Sequence, residues 1–136
     1  MSEFYLLGQI ALALILGGIM GWQREQSGKA AGPRTQALVT AGSTMFIVVI
    51  LHALGKAEAG RVAAQVVTGI GFIGAGTIIH RSDRVEGVTT ASGLWIATGV
   101  GMAIAFEYYI VAIITTLLIF GVLSIREKGF KIKAKD

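Results

Sequence analysis

The sequence predicts an all-α, polytopic transmembrane bundle of five helices, and three observations carry that reading. Five uncharged runs of about twenty residues follow one another with only short charged segments between them. Each has the roughly 18 to 25 residues that a helix needs to cross ~30 Å of hydrocarbon. Hydrophobic residues make up 54% of the chain and charged residues 15%, against the ~25% charge usual in soluble domains. The basic residues also sort by side. With five spans, one face receives Arg24, Lys29, Arg34, Arg81, Arg84, Arg126, Lys128, Lys131, Lys133 and Lys135, and the other only Lys56 and Arg61. By the positive-inside rule this places the N-terminus outside and the C-terminus in the cytoplasm.

The first run, Phe4 to Gln23, has only Glu3 as a charge before it and no basic n-region. It is expected to stay as a membrane helix and not to act as a cleaved signal. Ala13, Gly17 and Gly21 recur every fourth residue along it, a small-residue seam for close helix contact. Trp22 marks its inner interface. The loop from Arg24 to Arg34 carries Gly28, Gly32 and Pro33, the one proline, which suits the first turn of the next helix.

The second run, Thr35 to Gly55, gathers Gln36, Thr40, Ser43 and Thr44 on one face. The third, Val62 to His80, contains Gln65, Thr68, Thr77 and the run Val67-Thr68-Gly69-Ile70-Gly71-Phe72-Ile73-Gly74-Ala75-Gly76. Its literal G-x-G-x-x-G lacks the strand, helix and polar crevice of a dinucleotide site. Two explanations stay open: Gly69, Gly71, Gly74 and Gly76 admit a neighbouring helix, or the helix breaks there and its carbonyls line a polar cavity. Gln65 has four hydrogen-bonding valences and is expected to face the bundle or water.

A mixed loop, Arg81 to Glu86, leads to the fourth run, Gly87 to Phe106, where Thr89, Gly93, Ala97 and Gly101 form a second small-residue seam. Thr89, Thr90, Ser92 and Thr98 add hydroxyls, most of which should bond their own i−4 carbonyls. Trp95 falls mid-span, where it either packs on the glycine face of the third helix or lines a cavity. Glu107, between Phe106 and Tyr108, makes a tight outer hairpin into the fifth run, Tyr108 to Ile125. Residues 1–125 thus form one transmembrane domain, and residues 126–136 a basic cytoplasmic tail suited to anionic headgroups.

No cysteine is present, so disulfides and thiolate chemistry are excluded. No Asp, Glu, Lys or Arg lies near mid-membrane, which removes a proton relay and a carboxylate cage for a bare divalent cation. Neither a Ser-His-Asp set nor paired carboxylates can be assembled, so no enzyme is expected. No cofactor, assigned metal ligand or nucleic-acid partner is expected either. Mg²⁺ enters only as effector or transported ion, because a hydrated ion suits Gln, Thr and backbone carbonyls.

Three segments carry a family resemblance: Gly32-Pro33-Arg34-Thr35-Gln36-Ala37-Leu38-Val39, Arg61 through Gly76, and Gly87-Val88-Thr89-Thr90-Ala91-Ser92-Gly93-Leu94-Trp95. In order and spacing they resemble the MgtC/SapB family of bacterial membrane proteins. The resemblance implies a multi-pass protein of the cytoplasmic membrane linked to growth under magnesium limitation and, in some pathogens, to survival inside host cells. It points to Arg34, Thr35, Arg61, Gln65, the Gly69 to Gly76 run, Thr89, Thr90 and Trp95 as functional positions. The sequence runs only a short way past the fifth span, so the chain is expected to lack the soluble C-terminal domain of longer relatives. It also has Thr89 where some members carry Asn. The reading taken is a protein of Mg²⁺-related homeostasis acting by helix contacts with a membrane partner or with itself as a homo-oligomer. A channel or transporter for a hydrated cation and an oligomeric scaffold are the alternatives. An unbroken third helix packed on the fourth favours the first; a broken one lining a cavity favours conduction.

Overall fold

The computed structural model describes residues 3–125, so the basic tail 126–136 lies outside the described residues. Five helices account for most of them: α1 (Glu3–Gln26), α2 (Pro33–Leu54), α3 (Lys56–Ala75), α4 (Val88–Ala105) and α5 (Tyr109–Ser124). Strands β1 (Ile79–His80) and β2 (Val85–Glu86) pair antiparallel between α3 and α4. The all-α bundle expected from the sequence is what forms. Three helices, α1, α2 and α4, are long and apolar enough to cross a membrane. The 16-residue α5 is apolar but shorter. Lys56, Glu58 and Arg61 fall within α3 and lower its hydropathy.

Connections are short and each has a local cause. Pro33 stands at the start of α2, where its missing N–H costs nothing. Between α2 and α3 there is only Gly55, whose φ of 88° reverses the chain in one residue. Residues 56–61, expected as an outer loop, are therefore helical, and the i,i+3 pair Arg61–Glu58 at 3.3 Å lies in these first turns. At its other end α3 stops at Ala75, five residues before the expected His80. There Thr77 Oγ1 donates to Gly74 O at 2.8 Å, and the chain turns into the hairpin. Glu107, with φ of 67°, makes the one-sided turn between α4 and α5.

α1, α2 and α4 pack mutually at the centre; α3 lies against α2 and α4 on one flank, and α5 against α1 and α4 on the other. Lipid tails are as apolar as leucine, so close backbone approach has to replace the hydrophobic drive between helices. The two small-residue seams supply it within the chain. A Cβ on Gly17 would sit 2.7 Å from Gln36 O, and one on Gly21 2.5 Å from Gly32 O. Gly101 lets α4 meet Thr40 O and Ser43 Oγ of α2. Ala13, Met20, Ala97 and Ile104 fill the same core with no exposed surface. Large apolar side chains such as Phe4, Leu38, Phe72 and Leu118 point outward.

Candidate functional site

Buried polar groups collect in the seam between α1, α2 and α4. Thr40 Oγ1 donates to Gln36 O at 2.9 Å and Thr98 Oγ1 to Leu94 O at 3.1 Å, the expected i−4 pattern. Ser43 and Thr44 also reach across, donating to Thr98 O at 3.2 Å and Gly101 O at 2.8 Å. These hydroxyls bolt α2 to α4. Spent on carbonyls, they leave little polar lining for a water-filled path.

Gln36 differs. It is fully buried, and neither amide atom has a hydrogen-bond partner among the described residues. Its Nε2 rests against Gly93, where a Cβ would be 3.4 Å away. One helical turn back along α4, buried Thr90 accepts a 2.6 Å hydrogen bond from Nη2 of Arg24, itself only 4% exposed. At the opposite end of the bundle Gln9 Nε2 donates to Ile104 O at 2.9 Å and to the Tyr109 hydroxyl at 3.0 Å. Gln23 Nε2 ties α1 to Leu123 O of α5 at 2.5 Å.

Most positions singled out in the sequence lie elsewhere. Arg34 and Thr35 are exposed at the start of α2. Arg61, with a side chain 79% exposed, donates through Nη1 to Glu58 Oε1 of its own helix. Gln65 is exposed on α3, so of the two expected surroundings, bundle or water, its amide does not meet its own bundle. Thr68, also exposed, returns its hydroxyl to Ala64 O at 3.1 Å. Trp95 is 53% exposed and is not among the nearest neighbours of the α3 glycines. Thr90 and Gly93 are the two buried candidates on α4, and Thr89 is half-buried beside them.

The glycine run does not break α3, which is helical through Ala75 with Gly76 as its cap. Only Gly74 meets a neighbouring helix, with Ala91 Cβ 3.5 Å from its notional Cβ. Gly69 and Gly71 have nothing within 4 Å, because they face away from α2 and α4 or into a gap. That gap is an apolar groove of about 390 Å³ between α2 and α3, with Gly42 and Gly69 on its walls and Thr98 on its floor. A second, larger cavity of about 840 Å³ opens at the basic end of the bundle, between Arg24, Lys29, Thr89 and the end of α5.

Sequence reasoning missed the burial of Arg24, Gln9 and Gln23. Arg24 was read only as a charge that orients the chain. Its i−3 and i−7 neighbours, Gly21 and Gly17, were the available signal, because they put Arg24 on the face that approaches α2. Outside the helices, Arg84 Nε donates to Glu86 Oε1 at 2.5 Å and Arg81 Nε to Oε2 at 3.4 Å. Arg84 foremost, these guanidiniums hold the Glu86 carboxyl below its ordinary range.

Comparison with known proteins agrees with the resemblance in the motifs. Residues 10–131 match the model of the MgtC family. The chain is 37% identical over 132 residues to YhiD of Escherichia coli K12, provisionally named a magnesium transporter, covering 89% of this chain and 60% of that one. It is 37% identical over 115 residues to protein MgtC of Salmonella typhimurium LT2, covering 85% and 49%. An uncharacterised Haemophilus influenzae protein is 33% identical over 128 residues. The chain thus spans about half to three fifths of the length of these relatives. No solved structure matches it. With the helices, the three motifs and nearly the whole described chain in agreement, this membrane protein belongs to the MgtC family.

Proposed function

We propose that the chain is a multi-pass protein of the bacterial cytoplasmic membrane that serves Mg²⁺-related homeostasis through contacts of α3 with a membrane partner or a second copy. The basic end of the bundle faces the cytoplasm in this reading. The observation that carries it is the placement of Gln65 on an unbroken α3, pointing out of its own bundle. An amide turned toward lipid is costly, and a helix from another molecule satisfies it. Gly60 and Ala64 share the exposed surface and leave room for a backbone to approach. The seam hydroxyls, by contrast, are engaged with carbonyls, which supports contact over conduction. The names of the relatives bring magnesium to this chain.

The test combines growth at limiting Mg²⁺ with photo-crosslinking in cells from a photoreactive residue at the neighbouring exposed position 64. Gln65→Leu should keep the membrane level and lose both the growth phenotype and the crosslink. Mg²⁺ flux into proteoliposomes that Gln65→Leu and Gly71→Leu both abolish would sink the contact reading and establish conduction.

A further inference from the structure

The groove between α2 and α3 plays no part in the contact reading, and its shape follows from two helix faces. Leu38, Gly42 and Phe46 recur every fourth residue along one wall; Val66, Gly69 and Ile73 make the other. A Cβ on Gly42 or Gly69 would meet nothing within 4 Å, so these two glycines set the width. No charged residue lines the groove among the described residues. At its floor the hydroxyl hydrogens of Ser43 and Thr98 are spent on the carbonyls of Thr40, Thr98 and Leu94. A buried water needs about two to four polar partners, and a polar ligand needs a donor; the groove offers neither. Leu38, Phe46 and Ile73 are half or more exposed, so it opens sideways, where a membrane helix meets hydrocarbon. Side chains along a gap forfeit dispersion contacts until something apolar fills it.

Length and charge narrow the occupant. Arg34 is exposed four residues before Leu38, on the same stripe of α2. From Arg34 to Phe46 is twelve residues, about 18 Å of helix. Half of the ~30 Å hydrocarbon core is ~15 Å, so one fatty chain of one leaflet covers nearly that distance, with its phosphate level with the guanidinium. A helix lying along Leu38 to Phe46 would be about 10 Å across and enclose roughly 900 Å³. The groove is about 390 Å³, too small to seat one. We infer that the groove holds one acyl chain of an anionic phospholipid, drawn from the leaflet on the basic side of the bundle, with Arg34 against its phosphate. Because hydrocarbon is exchanged for hydrocarbon, the selectivity comes from filling the space at Gly42 and Gly69 and from the Arg34 charge.

The experiment places the full chain in phosphatidylcholine nanodiscs with a trace of phosphatidylglycerol that carries a photoreactive group midway along one chain, and maps the adducts by mass spectrometry. Photoreactive phosphatidylcholine is the comparison. Adducts should concentrate on residues 38–46 and 66–73. Phosphatidylglycerol should label them about fivefold more than phosphatidylcholine, the worth of one basic residue at an anionic headgroup, and Arg34→Gln should erase that preference. Gly42→Leu and Gly69→Leu each put a side chain into the groove and should remove most of its labelling, while outward residues such as Leu118 keep theirs. Circular dichroism checks that both variants fold, and Arg34→Gln, at an exposed position, tests the site independently of them. Adducts spread evenly over the outward surface, groove adducts that neither glycine variant changes, or equal labelling by the two lipids overturns the assignment. So does crosslinking of a photoreactive residue at position 42 to a second copy of the chain in place of lipid. No readout involves Gln65, so the contact reading stands or falls separately.

Discussion

Gly101→Ala tests whether backbone approach of α4 to α2 holds the core. A Cβ there would run into the Thr40 carbonyl, which cannot swing away, as well as Ser43 Oγ. Relieving it means moving one helix, and overpacking of this kind costs about 1–3 kcal/mol. The same shift stretches the bonds from Thr44 to Gly101 O and from Ser43 to Thr98 O, each worth ~0.6 kcal/mol in a membrane protein. Alanine also returns up to ~1 kcal/mol of helix propensity. Gly99→Ala shares that gain, but its Cβ meets nothing within 4 Å. The difference between the two variants removes the propensity contribution and should be about 2–4 kcal/mol, with Gly101→Ala the less stable. Reversible unfolding in mixed micelles with rising dodecyl sulfate, followed by far-ultraviolet circular dichroism, measures both. Agreement of the two variants within ~0.5 kcal/mol, the usual scatter for inconsequential sites, would refute the packing argument.

Gly87→Ala should cost at least about 2 kcal/mol, because φ is 90° and a Cβ would strike Thr77 O; the same unfolding assay reads it. Glu86 titrates below the ordinary carboxylate range because Arg84 favours its charged form. The hairpin stabilisation from this pair is thus present above the unfolded-state pKa and lost as pH falls through the depressed folded value. Carboxyl carbon NMR should show Arg84→Gln moving the Glu86 titration upward. Hydrogen exchange should open the middle of α3 before the middle of α4, since Ala59, Ile70 and Gly74 are the buried residues of α3 while α4 buries nine. Equal protection of the two helices would contradict that ordering.

Helix number and order were legible because each run must satisfy its own backbone hydrogen bonds in lipid, and that requirement is written as length and apolarity. The seams at Gly17, Gly21, Gly93 and Gly101 were legible for a related reason: their spacing keeps small residues on one face. The bounds of α3 were not. Charge at Lys56, Glu58 and Arg61 reads as a loop, whereas a positive φ at Gly55 lets helix resume at once. The orientation of Gln65 and Trp95 was also hidden, because which face of α3 or α4 meets a neighbour depends on how the helices cross. Periodicity gives a stripe without saying what opposes it. Arg24 was hidden differently: as a helix-end cation it looked like a topology signal, and the face it shares with Gly17 and Gly21 points to burial without naming Thr90 of α4 as its partner.

The distribution of bonds between helices bears on which part of the molecule can change partners. α1, α2 and α4 are joined by glycine contacts and by hydroxyls that cross from one helix to the next. The side-chain hydrogen bonds of α3 among the described residues, from Arg61 to Glu58 and Thr68 to Ala64, stay within the helix. It touches its neighbours through Ala59 and Ala63 near one end and Ile70 and Gly74 near the other, with the groove beside Gly42 and Gly69 along part of its length. In lipid, an interface without cross-helix hydrogen bonds is held by packing alone. A three-helix core with α3 on its flank, held there without cross-helix side-chain hydrogen bonds among the described residues, fits the contact reading proposed above. A conduction path would call for the reverse, with the polar face of α3 turned inward and fixed.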